Sequence, residues 1–185
     1  MNAYVVLSPS EVLDLAVLGV TREQARTAAE VVAAVKHIGA ARFQPITDVI
    51  VGRLLALAEA GFLLSARRGS SGEVAWRPSP AGQEHMERLA LMPSGSPVNA
   101  LAAVCASLKL CFLELLQPDA RETVIEDLLA AHRRALDEAE AALIGCPCRC
   151  AFVQRWLACD VERWQAELCW LEALASEVEA RCSRL

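Results

Sequence analysis

An excess of positive charge is missing from this chain of 185 residues: 18 Lys and Arg face 23 Asp and Glu, a net charge of -5 at pH 7. That is not the balance of a simple nucleic-acid binder. Aromatic residues are scarce, at 5%, while alanine and leucine abound, which favours helix because these side chains cost least there. No apolar run is long enough to cross a bilayer unbroken, and Met1 to Pro9 lacks a basic segment ahead of its apolar one. Neither a signal peptide nor a membrane span is therefore expected. Cysteine is absent before Cys105, and all eight cysteines lie between Cys105 and Cys182. A chain this long and alanine-rich does not read as a secreted disulfide scaffold, so reduced thiols in a cytoplasm are the expectation. Catalytic groupings are missing as well. His37, His85 and His132 stand isolated, and there is neither a phosphate-binding glycine loop nor a His-Glu-x-x-His pair. No enzyme activity is expected.

The charge that is present is divided unevenly. Residues 1–92 carry nine basic and nine acidic residues, whereas residues 93–185 carry nine and fourteen. Any contact with DNA should come from the neutral first half, with modest attraction for phosphate. In that half Ser8 or Ser10 can cap a first helix opened by Pro9, with Glu11 completing a capping box with Ser8 and Gly19 as the stop. Thr21 can cap a second helix from Arg22 to Ile38, closed by Gly39, with Ala25, Ala28, Ala29, Val32 and Val35 inward. Pro45 opens a third, with Thr47 as a competing cap. It carries Val49, Ile50, Leu54, Leu57 and Ala58 at helical spacing and ends at Gly61. Strands over 62–68 and 73–78 then flank a Gly69-Ser70-Ser71-Gly72 turn, and a fourth helix runs from Pro80 to Leu91. Three helices followed by a hairpin is the order of a winged helix-turn-helix.

Pro93-Ser94-Gly95-Ser96-Pro97 is the best boundary. Beyond it helices are expected from Val98 to Leu116, Asp119 to Ile144 and Ala151 to Arg181. In the last, Leu157, Val161, Trp164, Leu168, Leu171, Ala175 and Val178 alternate steps of four and three, a coiled-coil seam. Such a helix must pack on its neighbours, on another subunit, or on both. The expected fold is mainly α: a winged helix-turn-helix N-terminal domain, residues 1–92, and a C-terminal antiparallel helical, coiled-coil dimerisation domain, residues 98–185.

The order of elements, the Leu15-Ala16-Val17-Leu18-Gly19 opening, the Leu54 to Leu63 stretch and Trp76-Arg77-Pro78-Ser79-Pro80-Ala81-Gly82 together resemble PadR-like transcription regulators. Phe112-Leu113-Glu114-Leu115-Leu116 before Pro118, and Glu167-Leu168-Cys169-Trp170-Leu171, extend the resemblance over nearly the whole chain. It implies a homodimer built through the C-terminal helices and the first helix, two wings and two recognition helices on a palindromic operator, and repression relieved by a small, often aromatic or lipophilic effector. The sequence departs from the family pattern in the third helix. Val51 stands where the family has Tyr, and Leu55 and Ala56 replace a basic pair.

Candidate DNA contacts follow. Arg67, Arg68 and Arg77 lie on the wing, where cations meet phosphate or the minor groove. Lys36, His37 and Arg42 flank the entry to the third helix. Gln44, Thr47, Asp48 and Arg53 are candidates on that helix or at its start, although Thr47 and Asp48 also suit a helix cap. The weakly basic third helix leaves open a protein-binding adaptor that keeps the fold without DNA. Trp156, Trp164 and Trp170 fit core or interface packing. Trp164, with Cys111 and Phe112, also fits the wall of an effector pocket. No cofactor is required, but Cys146-Pro147-Cys148-Arg149-Cys150 admits a soft metal, a haem ligand, a disulfide switch or plain packing. A thiol- or metal-responsive regulator using Cys146, Cys148 and Cys150 is thus a further alternative.

Overall fold

A computed structural model describes residues 6–39, 43–68 and 73–182. Its elements are helix α1 (Pro9–Arg22), strand β1 (Arg26–Thr27), helices α2 (Ala28–Gly39) and α3 (Thr47–Glu59), strands β2 (Leu63–Arg68) and β3 (Glu73–Pro78), and helix α4 (Pro80–Leu91). Then come α5 (Ala100–Cys111), a 3-10 turn (Leu113–Leu115), α6 (Pro118–Ile144) and α7 (Ala151–Cys182). The fold is mainly helical, with a winged-helix head. The expected Gly69-Ser70-Ser71-Gly72 turn lies outside the described residues.

α1 is the central post. Ser8 and Glu11 form the expected capping box, and every residue from Val12 to Thr21 is buried, as befits a stretch that is apolar except for Asp14 and Thr21. The helix does not stop at Gly19. A Cβ there would lie 2.3 Å from the Phe112 ring, so this glycine admits an aromatic ring from the tail rather than ending a helix. Thr21 caps nothing: its hydroxyl donates back to the Val17 carbonyl at 2.7 Å, inside α1.

The second helix begins at Ala28, six residues later than its apolar pattern suggests, because Arg26 and Thr27 are taken into the sheet. They pair antiparallel with Trp76 and Ala75, giving strand order β1-β3-β2. The true cap is Thr27, whose hydroxyl accepts from the Glu30 amide at 3.3 Å while Glu30 accepts from the Thr27 amide at 2.8 Å. Thr27-Ala28-Ala29-Glu30 is a capping box legible in the sequence. With the later start the buried face becomes Val31 and Val35, and Ala29 is exposed.

α3 ends at Glu59, and the chain turns away at Gly61, whose φ of 78° suits glycine. The Phe62 amide reaches back to the Leu57 carbonyl at 2.9 Å and the Gly61 amide to Ala58 at 3.0 Å, a paired helix stop of the Schellman kind. The turn so formed seats α4: Ser79 caps α4 by accepting from the Gly82 amide and donates its hydroxyl to the Gly61 carbonyl at 2.7 Å.

Head and tail share one core. Leu15, Val17 and Leu18 of α1, Ile50, Leu54 and Leu57 of α3, and Met86 and Leu89 of α4 are continuous with Val104 and Leu108 of α5, Val124 and Leu128 of α6, and Leu171 of α7. The connection after α4 is held by a buried lysine that the sequence did not single out. Lys109 Nζ donates to the Met92 carbonyl and to Ser94 Oγ at 2.9 Å, and lies 3.4 Å from Asp127 of α6. Asp127 also accepts from the Ser94 amide at 2.7 Å, so the charge is compensated on several sides.

The helix expected from Val98 to Leu116 starts at Ala100, where Asn99 caps it, and ends at Cys111. The 3-10 turn replaces its last part because Leu116 and Gln117 are extended ahead of Pro118, a proline disfavouring helical backbone before it. α6 and α7 form a long hairpin. The α7 seam is inward within this chain: Val161, Trp164 and Leu171 are buried and Leu157, Leu168, Ala175 and Val178 half-buried. Val161 and Trp164 pack with Ala135 and Ala139 of α6. No helix among the described residues is long and apolar enough to cross a membrane.

Candidate nucleic-acid interface and helical cleft

Three of the expected DNA-facing residues converge at the corner between α2 and α3. Lys36 Nζ, in the last turn of α2, donates to Thr47 Oγ1 at 3.0 Å, and Gln44 Nε2 donates to the Lys36 carbonyl at 3.1 Å. Thr47 is therefore not a cap; the cap position is Ile46, with no side-chain bond. Asp48 is exposed beside Thr47, and His37 is exposed at the end of α2. Arg42 lies outside the described residues.

Arg53 is placed elsewhere. Its guanidinium forks onto the carboxylate of Asp14 in α1, Nε to Oδ1 and Nη2 to Oδ2 at 2.5 Å. The Asp14 side chain is only 3% exposed. A carboxylate this deep needs a cation with matched geometry, and the Asp14 bond raises the guanidinium's already high pKa further. Arg53 thus serves as the strut between α1 and α3. Its partner had a signal in the sequence, a lone acid within Val12-Leu13-Asp14-Leu15-Ala16.

With Arg53 committed, the exposed positions of α3 are Thr47, Asp48, Val49, Gly52, Leu55 and Glu59, none of them basic. Positive charge near this face comes from α2 and the wing. Arg67 on β2 and Arg77 on β3 are exposed, and Arg68 belongs to β2, paired in register with Glu73.

His85 of α4 stacks on Phe62 with ring centroids 4.4 Å apart. Its Nδ1 is 2.7 Å from Arg88 Nη2 and its Nε2 is 4.0 Å from Asp14. Burial first, then the Arg88 charge, push its pKa down, and the Arg53 charge adds to this against the opposing pull of Asp14 and Glu11. A base depressed in the folded state binds protons more weakly there than in the unfolded chain. Its contribution is fully present above about pH 6.5 and is lost as pH falls below that value. Urea denaturation at pH 7.5 and 5.5 is expected to show a stability loss toward acid that shrinks in His85→Gln. An unchanged loss in the variant contradicts this assignment.

The second feature is a cleft of about 680 Å³ among α5, α6 and α7, within the usual range for ligand sites. Two of the three expected pocket residues, Cys111 and Trp164, line it with Ser107, His132, Glu167 and Trp170. The third, Phe112, does not: it is buried against Gly19 in the shared core. His132 Nδ1 donates to the Leu128 carbonyl at 2.8 Å, which turns Nε2 toward Glu167 at 3.5 Å. Trp164 meets the imidazole edge-on, and the Arg163 guanidinium sits 4.5 Å from the Trp164 ring centroid. His132 and Glu167 are 35 residues apart on different helices, a pairing that local spacing does not disclose.

Cys146, Cys148 and Cys150 occupy the turn between α6 and α7, the first half-buried and the others exposed. Among the described residues no three or more His, Cys, Asp or Glu side chains are gathered to hold a metal ion.

Comparison with known proteins gives one family match: the family described as "Putative AphA-like transcriptional regulator", over residues 3–175. A search among curated proteins finds no match. Among solved structures the chain is similar to Bacillus subtilis PadR, at 16% identity over 94% of this chain and 98% of that one, with a TM-score of 0.43. The same protein in complex with operator DNA matches at 17% identity over 90% and 99%, with a TM-score of 0.41. In complex with p-coumaric acid it matches at 16% over 94% and 99%, with a TM-score of 0.42.

Proposed function

The chain belongs to the AphA-like family of transcriptional regulators, and from that membership we propose that it is a dimeric, DNA-binding repressor of the cytoplasm, released by a small molecule and without catalysis of its own. The observation that carries the DNA-binding reading is the placement, on a winged-helix head, of Lys36, Gln44 and Thr47 at one corner and exposed Arg67 and Arg77 on the strands of the wing. Phosphate attraction comes from these flanks, while the outer side of α3, with Thr47 and Asp48 at its start, offers polar groups to base edges.

Dimerisation through α7 is supported by what its seam leaves over. Phe152, Trp156 and Trp170 are 81%, 72% and 56% exposed. Trp156 and Trp170 are two heptads apart, and so lie on one stripe of the helix. Exposed aromatics in such a row suit a second copy of the chain. The α5–α6–α7 cleft adjoins this stripe through Trp170. It would take a largely apolar effector that presents a polar group to His132 and Glu167. Occupancy would alter the packing of α7 and with it the spacing of the two heads.

A mobility-shift titration with the DNA upstream of the chain's own gene tests this reading. A shift at low salt that weakens as salt rises is expected. In the Arg67→Ala, Arg77→Ala double variant the slope of log affinity against log salt should shrink by about 2, close to one per phosphate contact. Absence of any shift at low salt overturns the reading. Val49 and Leu55, both exposed on α3, would then favour a protein-binding adaptor, identified by a partner that α3 variants release.

A further inference from the structure

The turn joining α6 to α7 holds three cysteines in five residues, and none of them belongs to the hydrophobic core. Residues 146–150 adopt no regular secondary structure, so the segment can bend without breaking a helix. Its thiols are placed differently. Cys150 immediately precedes α7, and the backbone of Val153 and Phe152 in the first helical turn favours its thiolate, lowering the thiol below its usual pKa. Amide donors and the positive end of a helix favour the thiolate, the nucleophilic form of cysteine. Cys146 follows the end of α6. Its Sγ is directed at the Cys148 carbonyl at 3.8 Å, and that same carbonyl accepts from Gln154 Nε2 at 2.9 Å. Gln154 lies one turn inside α7. The shared carbonyl therefore links Cys146 to Gln154 in the first turn of α7, the helix that Cys150 directly precedes; Cys146 is half-buried, and Cys148 and Cys150 are exposed.

We propose that this turn is a site of oxidation by hydroperoxides, in which Cys150 is the attacked thiol, Cys146 resolves it, and an intrachain disulfide closes across the α6–α7 junction. In the first step the Cys150 thiolate attacks the peroxide. An S–O bond forms, the O–O bond breaks, and with hydrogen peroxide hydroxide leaves and takes a proton to become water. In the second, the Cys146 thiolate attacks the Cys150 sulfenic acid. The S–S bond forms, the S–O bond breaks, and a second water departs. Two thiols lose two electrons in all, and the peroxide gains them. The bridge draws the end of α6 against the start of α7 in the hairpin that bounds the cleft.

The sequence supplies a direct readout, independent of DNA binding. Trypsin cuts after Arg134, Arg149 and Arg155, leaving Cys146 and Cys148 on peptide 135–149 and Cys150 on peptide 150–155. The full chain is treated with hydrogen peroxide, blocked with iodoacetamide, and digested without reductant for mass spectrometry. The two peptides should appear linked, and the linkage should survive in Cys148→Ser. In Cys146→Ser and in Cys150→Ser the rate of bridge formation should fall roughly ten-fold or more. A bridge confined to peptide 135–149, a covalent dimer on a non-reducing gel in place of the intrachain link, or unchanged thiol loss in Cys150→Ser overturns the proposal. All three positions lie outside the packed core, and matching circular dichroism spectra exclude misfolding as the cause.

Discussion

Replacing Arg53 with methionine is expected to lower the stability of the chain by about 3–5 kcal/mol, the usual cost of leaving a buried charge without its partner. Asp14 is the charge left behind. Its side chain is almost fully enclosed in α1, and its other basic neighbour, His85, stands 4.0 Å away with its own protonation disfavoured. Methionine fills similar volume, so the loss reports the missing fork rather than a cavity. Arg53→Lys should recover only part of it, because a point cation cannot occupy both carboxylate oxygens as the guanidinium does. Urea denaturation followed by circular dichroism measures all three proteins. A methionine variant within about 0.5 kcal/mol of the parent, the range of ordinary surface substitutions, would show that Arg53 is free to serve the DNA face after all. The pair also bears on function, since it ties α3, the helix at the candidate interface, to α1.

The second large effect is expected at Gly82. A Cβ there would sit 1.9 Å from the Phe62 carbonyl oxygen and 2.9 Å from its carbon. Both atoms are backbone, and that oxygen also accepts from the Ser79 amide at 2.9 Å. No rotamer change relieves the overlap, so α4 must back away from the turn that seats it. Met86 and Leu89, buried on α4, would move with it. Gly82→Ala is therefore expected to cost about 3 kcal/mol or more, at the upper end of overpacking. Gly52 provides the opposite case within the same head. Nothing lies within 4 Å of a Cβ built there, and the position is an exposed helix interior. Gly52→Ala should stabilise by about 0.5–1 kcal/mol. Denaturation midpoints moving in opposite directions for the two variants check the argument, and a Gly82→Ala protein as stable as its parent refutes it.

The candidate site was only partly legible beforehand. Lys36, Gln44 and Thr47 could be nominated because they flank the third helix, and the structure joins them through hydrogen bonds. Arg53 qualifies on the same ground but goes to Asp14 instead, because the stripe position of a helical arginine does not reveal a carboxylate 39 residues earlier. Phe112 and Cys111 are neighbours in sequence, yet one packs on Gly19 and the other lines the cleft. The turn from α5 into the 3-10 segment separates them.

What the amino-acid order determined by itself is whatever local physics enforces: the period of apolar residues in α3, α6 and α7, the capping box of α1, the glycine stop at Gly61, and the hairpin strands of the wing. These depend on neighbours within a few residues, so their outcome is written nearby. Tertiary structure alone decided that Arg26 and Thr27 pair with Trp76 and Ala75, that Gly19 receives a ring, that Lys109 is buried among three oxygen acceptors, and that His132 faces Glu167 across a cleft. Each of these depends on groups distant in sequence. The free energy of such a meeting exists only once the chain has closed the loop between them, and no local periodicity carries its trace.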